Sequence, residues 1–261
     1  VIMDAAWLSA IETKDYLFPH EWPAYAWFFN FLPTAIVAAA FIRARTAAPE
    51  LRGLMAGALV LTLFFLATLP LVTMRYALAV QLQIPRVFWL VELVAFILIA
   101  RWIGQSRPGA ARMAAAGLIA LSAVRGAAVL AEEQAPRLVR IDVTRDDWGQ
   151  AMAWLRAQPV DVHVLADPGH AWRYESSVRV VAERDLFHED VKDAAVAMYD
   201  RDLAMRVVER RALTHNFPDK TPAELLALAA RYHLDYLVSD QRIDLPPVYA
   251  NATFTIYRLA R

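Results

Sequence analysis

The sequence predicts a membrane α-helical bundle of four transmembrane helices followed by a small α/β domain on the extracytoplasmic side. Three observations carry this. First, Gly53 to Met74 is an uncharged run fenced by Arg52 and Arg75, and about 20 apolar residues suffice to cross a bilayer. Second, three similar runs lie near it, whereas nearly all charge clusters follow Glu132. Third, the segment after Asp146 alternates strand-like and helix-like patterns, as a small α/β sandwich does. The formal net charge of +0 argues against nucleic acid as a partner, which selects a concentrated basic surface. Cysteine is absent, so disulfides and thiolate metal sites are excluded.

The chain opens at Val1 without a basic segment leading into an apolar targeting run. It reads as the C-terminal part of a longer polytopic protein whose N-terminal transmembrane region is missing. Residues 1–23 form an interfacial segment, in and just after which Trp7, Tyr16, Trp22, Tyr25 and Trp27 cluster as aromatics do at a membrane boundary. The first span is 24–43, with Pro33 inside it; the second is 53–74. The stretch RYALAVQLQIPR then leaves the hydrocarbon, the third span is 87–104, and a short turn leads to the fourth, 111–131. Arg43, Arg45, Arg52, Arg101, Arg107 and Arg112 fall on one side; only Lys14, Arg75 and Arg86 precede the C-terminal domain on the other. Positive residues accumulate in the cytoplasm. The N-terminal stretch, the 75–86 loop and everything after 132 are therefore expected outside it, in an inner-membrane protein.

A linker at 132–145 precedes the soluble domain, 146–261. Asp146 and Asp147 cap a helix with Trp148, Met152 and Leu155 at helical spacing. VDVHVLADP is a strand and SSVRVVAE is expected as a second one. DVKDAAVAMYDRDLAMRVVERRAL reads as a single amphipathic helix. Thr221-Pro222-Ala223-Glu224 is a capping box that starts a helix running to about His233. DYLVSD is a buried strand and TFTIYRLA a final antiparallel one. Ligands in such sheets bind at the carboxyl ends of strands, here Asp167 to His170, the turn after Glu183, and Ser239-Asp240.

Candidate chemistry is sparse. No glycine-rich nucleotide fingerprint occurs, the six histidines lack metal-ligand spacing, and no cofactor is implied. Within the spans, Glu92 and Arg125 lie at similar depth from one side, Glu92 about 9 Å in at 1.5 Å per residue. Charges in lipid are costly and usually paired, so an intramembrane Glu92–Arg125 ion pair is expected. His170, Arg173, Ser176, Arg179 and Lys192 form a polar patch around strand ends, a candidate for an anionic or sugar ligand. Loop polarity and salt bridges account for the same residues. His20, Arg75 and Arg86 cluster at the membrane boundary, where an Arg fork suits a lipid phosphate; interfacial anchoring is the competing reading.

The order of KDYLFPHEW before a span, QLQIPR opening another, then DWGQAMAWLR, HVLADPGHAWRYESSVR, DVKD and LDYLVSD resembles the C-terminal end of bacterial polytopic membrane proteins similar to GT-C type glycosyltransferases. The resemblance covers nearly the whole chain. It implies sugar transfer from a polyprenyl-phosphate donor at the extracytoplasmic face. The catalytic carboxylate that it implies lies in a loop this sequence lacks, so neither Asp4 nor Glu12 takes that role and no catalytic residue is assigned. The alternatives are a non-catalytic glycan- or partner-binding protein of the cell envelope, and part of a transporter with Glu92 and Arg125 on its path.

Overall fold

The computed structural model describes residues 1–43, 48–105, 108–131 and 146–259. The expected linker, with Arg45 and Arg107 of the charge count, lies outside them. The chain divides into two compact units: residues 1–4 with 14–131, and residues 5–13 with 146–259. The first helix, α1 (Ala5–Ala10), therefore belongs with the C-terminal segment, although the interfacial stretch 1–23 was expected as one piece.

The first unit contains α2 (Ala24–Arg43), α3 (Pro49–Thr73), the short α4 (Ala77–Gln81), α5 (Val87–Gln105) and α6 (Pro108–Ala131). Among the described residues four helices are long and apolar enough to cross a membrane, α4 and α5 counting as one. Helix α3 begins four residues before the uncharged run. Pro49 occupies its first turn, where the missing N–H costs nothing because first-turn donors have no helical acceptor. Helices α2, α3 and α5 pack against one another, whereas α6 packs against α5.

Two layers of side chains fill the seam of these helices. Val37, Met55, Ala58, Val91, Val94 and Ala95 form one. The other is aromatic: Phe65 and Phe88 meet edge to face with centroids 4.8 Å apart, enclosed by Trp22, Trp27 and Phe31. Thr62, buried between the layers, donates its hydroxyl to the Ala58 carbonyl at 3.1 Å. A buried hydroxyl without water needs such a partner. At the aromatic end, the Met3 N–H donates to the Arg75 carbonyl at 2.9 Å and the Ala77 N–H to that of Val1 at 3.0 Å. These bonds tie the first residues to the turn after α3.

The second unit holds α7 (Asp147–Arg156), β1 (His163–Leu165), α8 (His170–Arg173), α9 (Val178–Val181), β2 (Asp185–Leu186), α10 (Asp190–Ala197), α11 (Arg201–Thr214), α12 (Pro222–Tyr232), β3 (Tyr236–Ser239), β4 (Pro247–Ala250) and β5 (Thr255–Arg258). The sheet order is β2-β1-β3-β5-β4. Strands β2, β1 and β3 are parallel, and β5 runs antiparallel to both β3 and β4. Successive side chains of a strand point to opposite faces, so the sheet builds two cores. Val164, Tyr236, Val238 and Ile256 face Trp148, Met152 and Leu155 of α7. Leu165, Leu237 and Tyr257 face Leu225, Leu228 and Ala229 of α12. Each large side chain so buried stabilises the unit by about 1.5–3 kcal/mol.

Two expected elements differ, and two strands are additional. SSVRVVAE is not a strand: Ser177 accepts the Arg179 N–H at 3.1 Å and starts the one-turn helix α9. Its Val178 and Ala182 are buried while Val180 is exposed, so burial on one side of a turn overrides the strand preference of a β-branched run. The long helix from Asp190 is two helices. Asp200 has extended backbone and accepts the Leu203 N–H at 2.8 Å, capping α11. Strands β2 and β4 were not expected; β2 has two residues, too few to show a period.

Helix α1 packs against α10 and α11. Trp7, Ala10 and Ile11 are buried, and the Trp7 indole donates to the Ala197 carbonyl at 2.8 Å. Arg211 donates to the carbonyls of Ser9 at 2.8 Å and Ala10 at 3.0 Å and pairs with Glu12 at 3.1 Å. A cation at the C-terminal end of a helix meets its unsatisfied carbonyls. Trp7→Ala should therefore destabilise the C-terminal unit by about 3–5 kcal/mol, the range for truncating a buried aromatic. Hydrogen exchange of α10 and α11 in the full chain should accelerate correspondingly; unchanged exchange would show that α1 adds nothing to that unit.

Candidate functional site

The candidate site of the first unit is a cavity of about 280 Å³ at the aromatic end of the bundle. The start of α2 supplies Trp22, Pro23, Tyr25, Ala26 and Asn30, the start of α5 supplies Trp89, and the turns before these helices supply Asp15, Tyr16, Pro85 and Arg86. Gln83 adopts a left-handed backbone, φ 50°, and Pro85 stands in the tight turn that follows. That reversal delivers Arg86 to the first residue before α5. Its guanidinium lies over the Trp89 ring at 5.4 Å and the Tyr16 ring at 5.8 Å, cation–π contacts that hold a cation without neutralising it. No carboxylate pairs with Arg86 among the described residues. The Tyr16 hydroxyl donates to Gln83 Oε1 at 3.4 Å and the Trp22 indole to the Asp15 carbonyl at 3.3 Å, so the wall is braced on one side.

Of the three residues expected on a lipid phosphate, Arg86 alone lines this cavity. His20 pairs with Glu21 at 3.3 Å and sets its ring edge-on to Phe18. Arg75 is exposed in the turn after α3, with φ 59°. Tyr25 was expected among the boundary aromatics, whereas Asp15 and the ring of Trp89 were not singled out from the sequence. Their recurrence beside Trp22 and Pro85 was the available signal, but the chain separation between residues 15–30 and 85–89 hid it.

The Glu92–Arg125 ion pair is not formed. Glu92 is half-buried on α5 and Arg125 is exposed on α6, with no ion pair between them. Similar depth in adjacent helices does not make residues face each other, because each position turns by about 100° around its helix. In a double-mutant cycle the effects of Glu92→Ala and Arg125→Ala on bundle stability should therefore add to within about 0.5 kcal/mol, measured by denaturation in detergent.

The polar patch of the second unit separates into distinct arrangements. His170 is fully buried: its Nδ1 donates to the Asp167 carbonyl at 2.7 Å and its Nε2 accepts the Val178 N–H at 3.2 Å. Burial lowers its pKa below the ordinary value, and this neutral ring has no nitrogen left for a ligand. Ser176 accepts the Trp148 indole at 3.0 Å. Lys192 is half-buried on α10, with no ion pair among the described residues.

Arg179 reaches α10 instead. It grips both oxygens of Asp193 and donates to the Leu186 carbonyl at 2.9 Å. His188, 1% exposed, bridges Asp193 at 3.2 Å and Asp190 at 3.1 Å. Burial opposes a charged imidazole, but the hydrogen bonds it donates to the two carboxylates outweigh it and raise the His188 pKa. Burial likewise opposes the Asp193 anion, and its bonds from His188, Arg179 and the Glu189 N–H overcome that, holding the carboxyl well below the usual carboxylate range. The His188 bond, as the largest influence, lowers Asp190 as well.

The third arrangement joins strand ends. Arg173 donates to Asp167 at 2.9 Å and to Asp240 at 3.0 Å, and the Tyr174 hydroxyl donates to Asp240 at 2.8 Å. Burial, then the bond to Asp240, pushes the Tyr174 pKa up. Asp167 and Asp240 follow β1 and β3, which are adjacent and parallel, so the sheet itself sets their separation.

No family model, curated protein or solved structure matches this chain. Among the described residues no cluster of His, Asp and Glu could hold a metal ion.

The charge network around Asp193 makes stability pH-dependent in a stated direction. A raised His188 pKa stabilises the fold below the unfolded value of about 6.5, and that contribution is lost as pH rises through the folded pKa. Lowered Asp190 and Asp193 values stabilise above about 3.9 and that contribution is lost as pH falls through the folded values. Thermal unfolding of the C-terminal unit should therefore peak between these limits, and His188→Gln should remove the loss on the alkaline side.

Proposed function

We propose that this chain is the lipid-phosphate-binding part of a GT-C-like membrane glycosyltransferase, with the donor's phosphate held at the cavity that Arg86 lines. The observation that carries this is an unpaired guanidinium in a 280 Å³ cavity at the aromatic end of the apolar helices. A guanidinium there would meet a phosphate through two parallel hydrogen bonds, and an environment poorer in water strengthens them. Trp22, Tyr25 and Trp89 present amphipathic rings of the kind that sits at headgroup level. The expected contacts from His20 and Arg75 are not part of this proposal, because neither side chain lines the cavity.

The same proposal has the protein in a bacterial inner membrane with its C-terminal unit outside the cytoplasm. Support comes from the arginines, with Arg43, Arg52, Arg101 and Arg112 at one set of helix ends and Lys14, Arg75 and Arg86 at the other. It also comes from α1. A segment that precedes the four helices and one that follows them form a single unit, so both occupy one compartment and the chain crosses an even number of times between them.

Arg86→Ala should weaken polyprenyl-phosphate binding about 10- to 100-fold, the equivalent of a charge-assisted bond of about 1.5–3 kcal/mol. Titration in detergent measures it. Unchanged affinity would remove the phosphate role from this cavity.

A further inference from the structure

We infer that the crevice outside the carboxyl ends of β1 and β3 is a binding site for a neutral hexose, formed by Asp167, Arg173, Lys220, Asp240 and Gln241. The first ground is topology. From β1 the chain passes to β2 on one side, then crosses back to β3 on the other. Connections diverge at the ends of β1 and β3, and this divergence opens the crevice in which sheets of this kind bind ligands. Asp167 and Ser239-Asp240 are the residues that follow those two strands.

The second ground is the composition of the crevice. Its floor is apolar, from Phe217, Leu225 and Ile243, and its rim carries Asp167, Lys220, Ser239, Asp240 and Gln241. An apolar wall with a few placed polar groups is the usual make-up of a small-molecule site. The enclosed volume is about 20 Å³, room for one water, so a ligand lies across the mouth and not within it.

The charges decide the ligand class. The two rim carboxylates are met by the Lys220 ammonium on the rim and by the Arg173 guanidinium that bridges them from beside it, so the charges balance. An anion would meet Asp167 and Asp240, and a cation would have to displace Arg173, which already donates to both at 2.9 and 3.0 Å. Among the described residues, what remains open is Oδ1 of Asp240 as an acceptor, the Gln241 amide, which both donates and accepts, and donors from the other N–H groups of Arg173 and the Lys220 ammonium. A sugar hydroxyl both donates and accepts, and hydrogen bonds to ionised partners are the stronger kind. The Arg173 bridge holds both carboxylates in place before a ligand arrives, which lowers the ordering cost of binding.

This site is independent of the Arg86 cavity. Saturation-transfer NMR on the full chain in detergent, with D-glucose, D-galactose, D-mannose and N-acetyl-D-glucosamine offered separately, tests it. At least one hexose should saturate, and both Asp240→Asn and the more conservative Gln241→Ala should raise its Kd, the former about tenfold or more. Asp202→Asn, on the exposed start of α11, and Arg86→Ala should leave that Kd unchanged. The inference is overturned if no hexose saturates, or if binding survives both rim substitutions. It is equally overturned if calcium or magnesium alone displaces the sugar, which would make the carboxylates a cation site.

Discussion

The docking of α1 onto α10 and α11 is the constraint on which the reading of the whole chain depends. A buried Trp7, an indole bond to the Ala197 carbonyl and the Arg211 cap on the end of α1 join residues 5–13 to a domain that starts more than 130 positions later. Segments that pack together share a solvent. That condition requires an even number of crossings between them, and four apolar helices meet it. The same contact makes the C-terminal domain incomplete by itself, because its α10–α11 face loses an apolar cover and Arg211 loses its acceptors without the N-terminal segment.

The two units solve the problem of buried polarity in different ways. In the bundle, charge is kept at the periphery. Arg125 faces outward, Thr62 turns its hydroxyl onto its own helix, and Arg86 rests on aromatic rings at the boundary. In the C-terminal unit, the charges around Asp193 are gathered into a closed arrangement. Asp193 accepts from Arg179, His188 and the Glu189 backbone at once, so each charge lies against its complement and burial is tolerated. The Arg173 bridge differs in that it stays half-exposed and leaves Oδ1 of Asp240 open. Saturated networks hold a fold together, and an open one at a strand end is where a ligand can bind.

Much of the fold was legible in the sequence because two signals need only local information. An uncharged run such as 53–74 must cross or be buried whatever surrounds it, and the capping box at Thr221 sets a helix start through bonds within one turn: the Thr221 N–H to Glu224 at 2.8 Å and the Glu224 N–H back at 3.3 Å. The strands DYLVSD and TFTIYRLA announce themselves through period and composition. The candidate sites were legible only in residue type. His170, Arg173, Ser176 and Arg179 lie within ten positions, yet each turns to a different partner: the backbone of Asp167, the carboxylate of Asp240, the indole of Trp148 and the carboxylate of Asp193.

By itself, then, the sequence determined the spans, the capped helices and the presence of an α/β domain, since apolar length and caps act over a few residues. Tertiary structure alone decided that VRVV is a helix, that Asp200 divides a long helix in two, that Glu92 and Arg125 do not meet, and that α1 joins the far end of the chain. Each of those outcomes turns on which surface a residue faces after packing. Burial energy is settled between elements distant in the chain, and no local pattern records the partner.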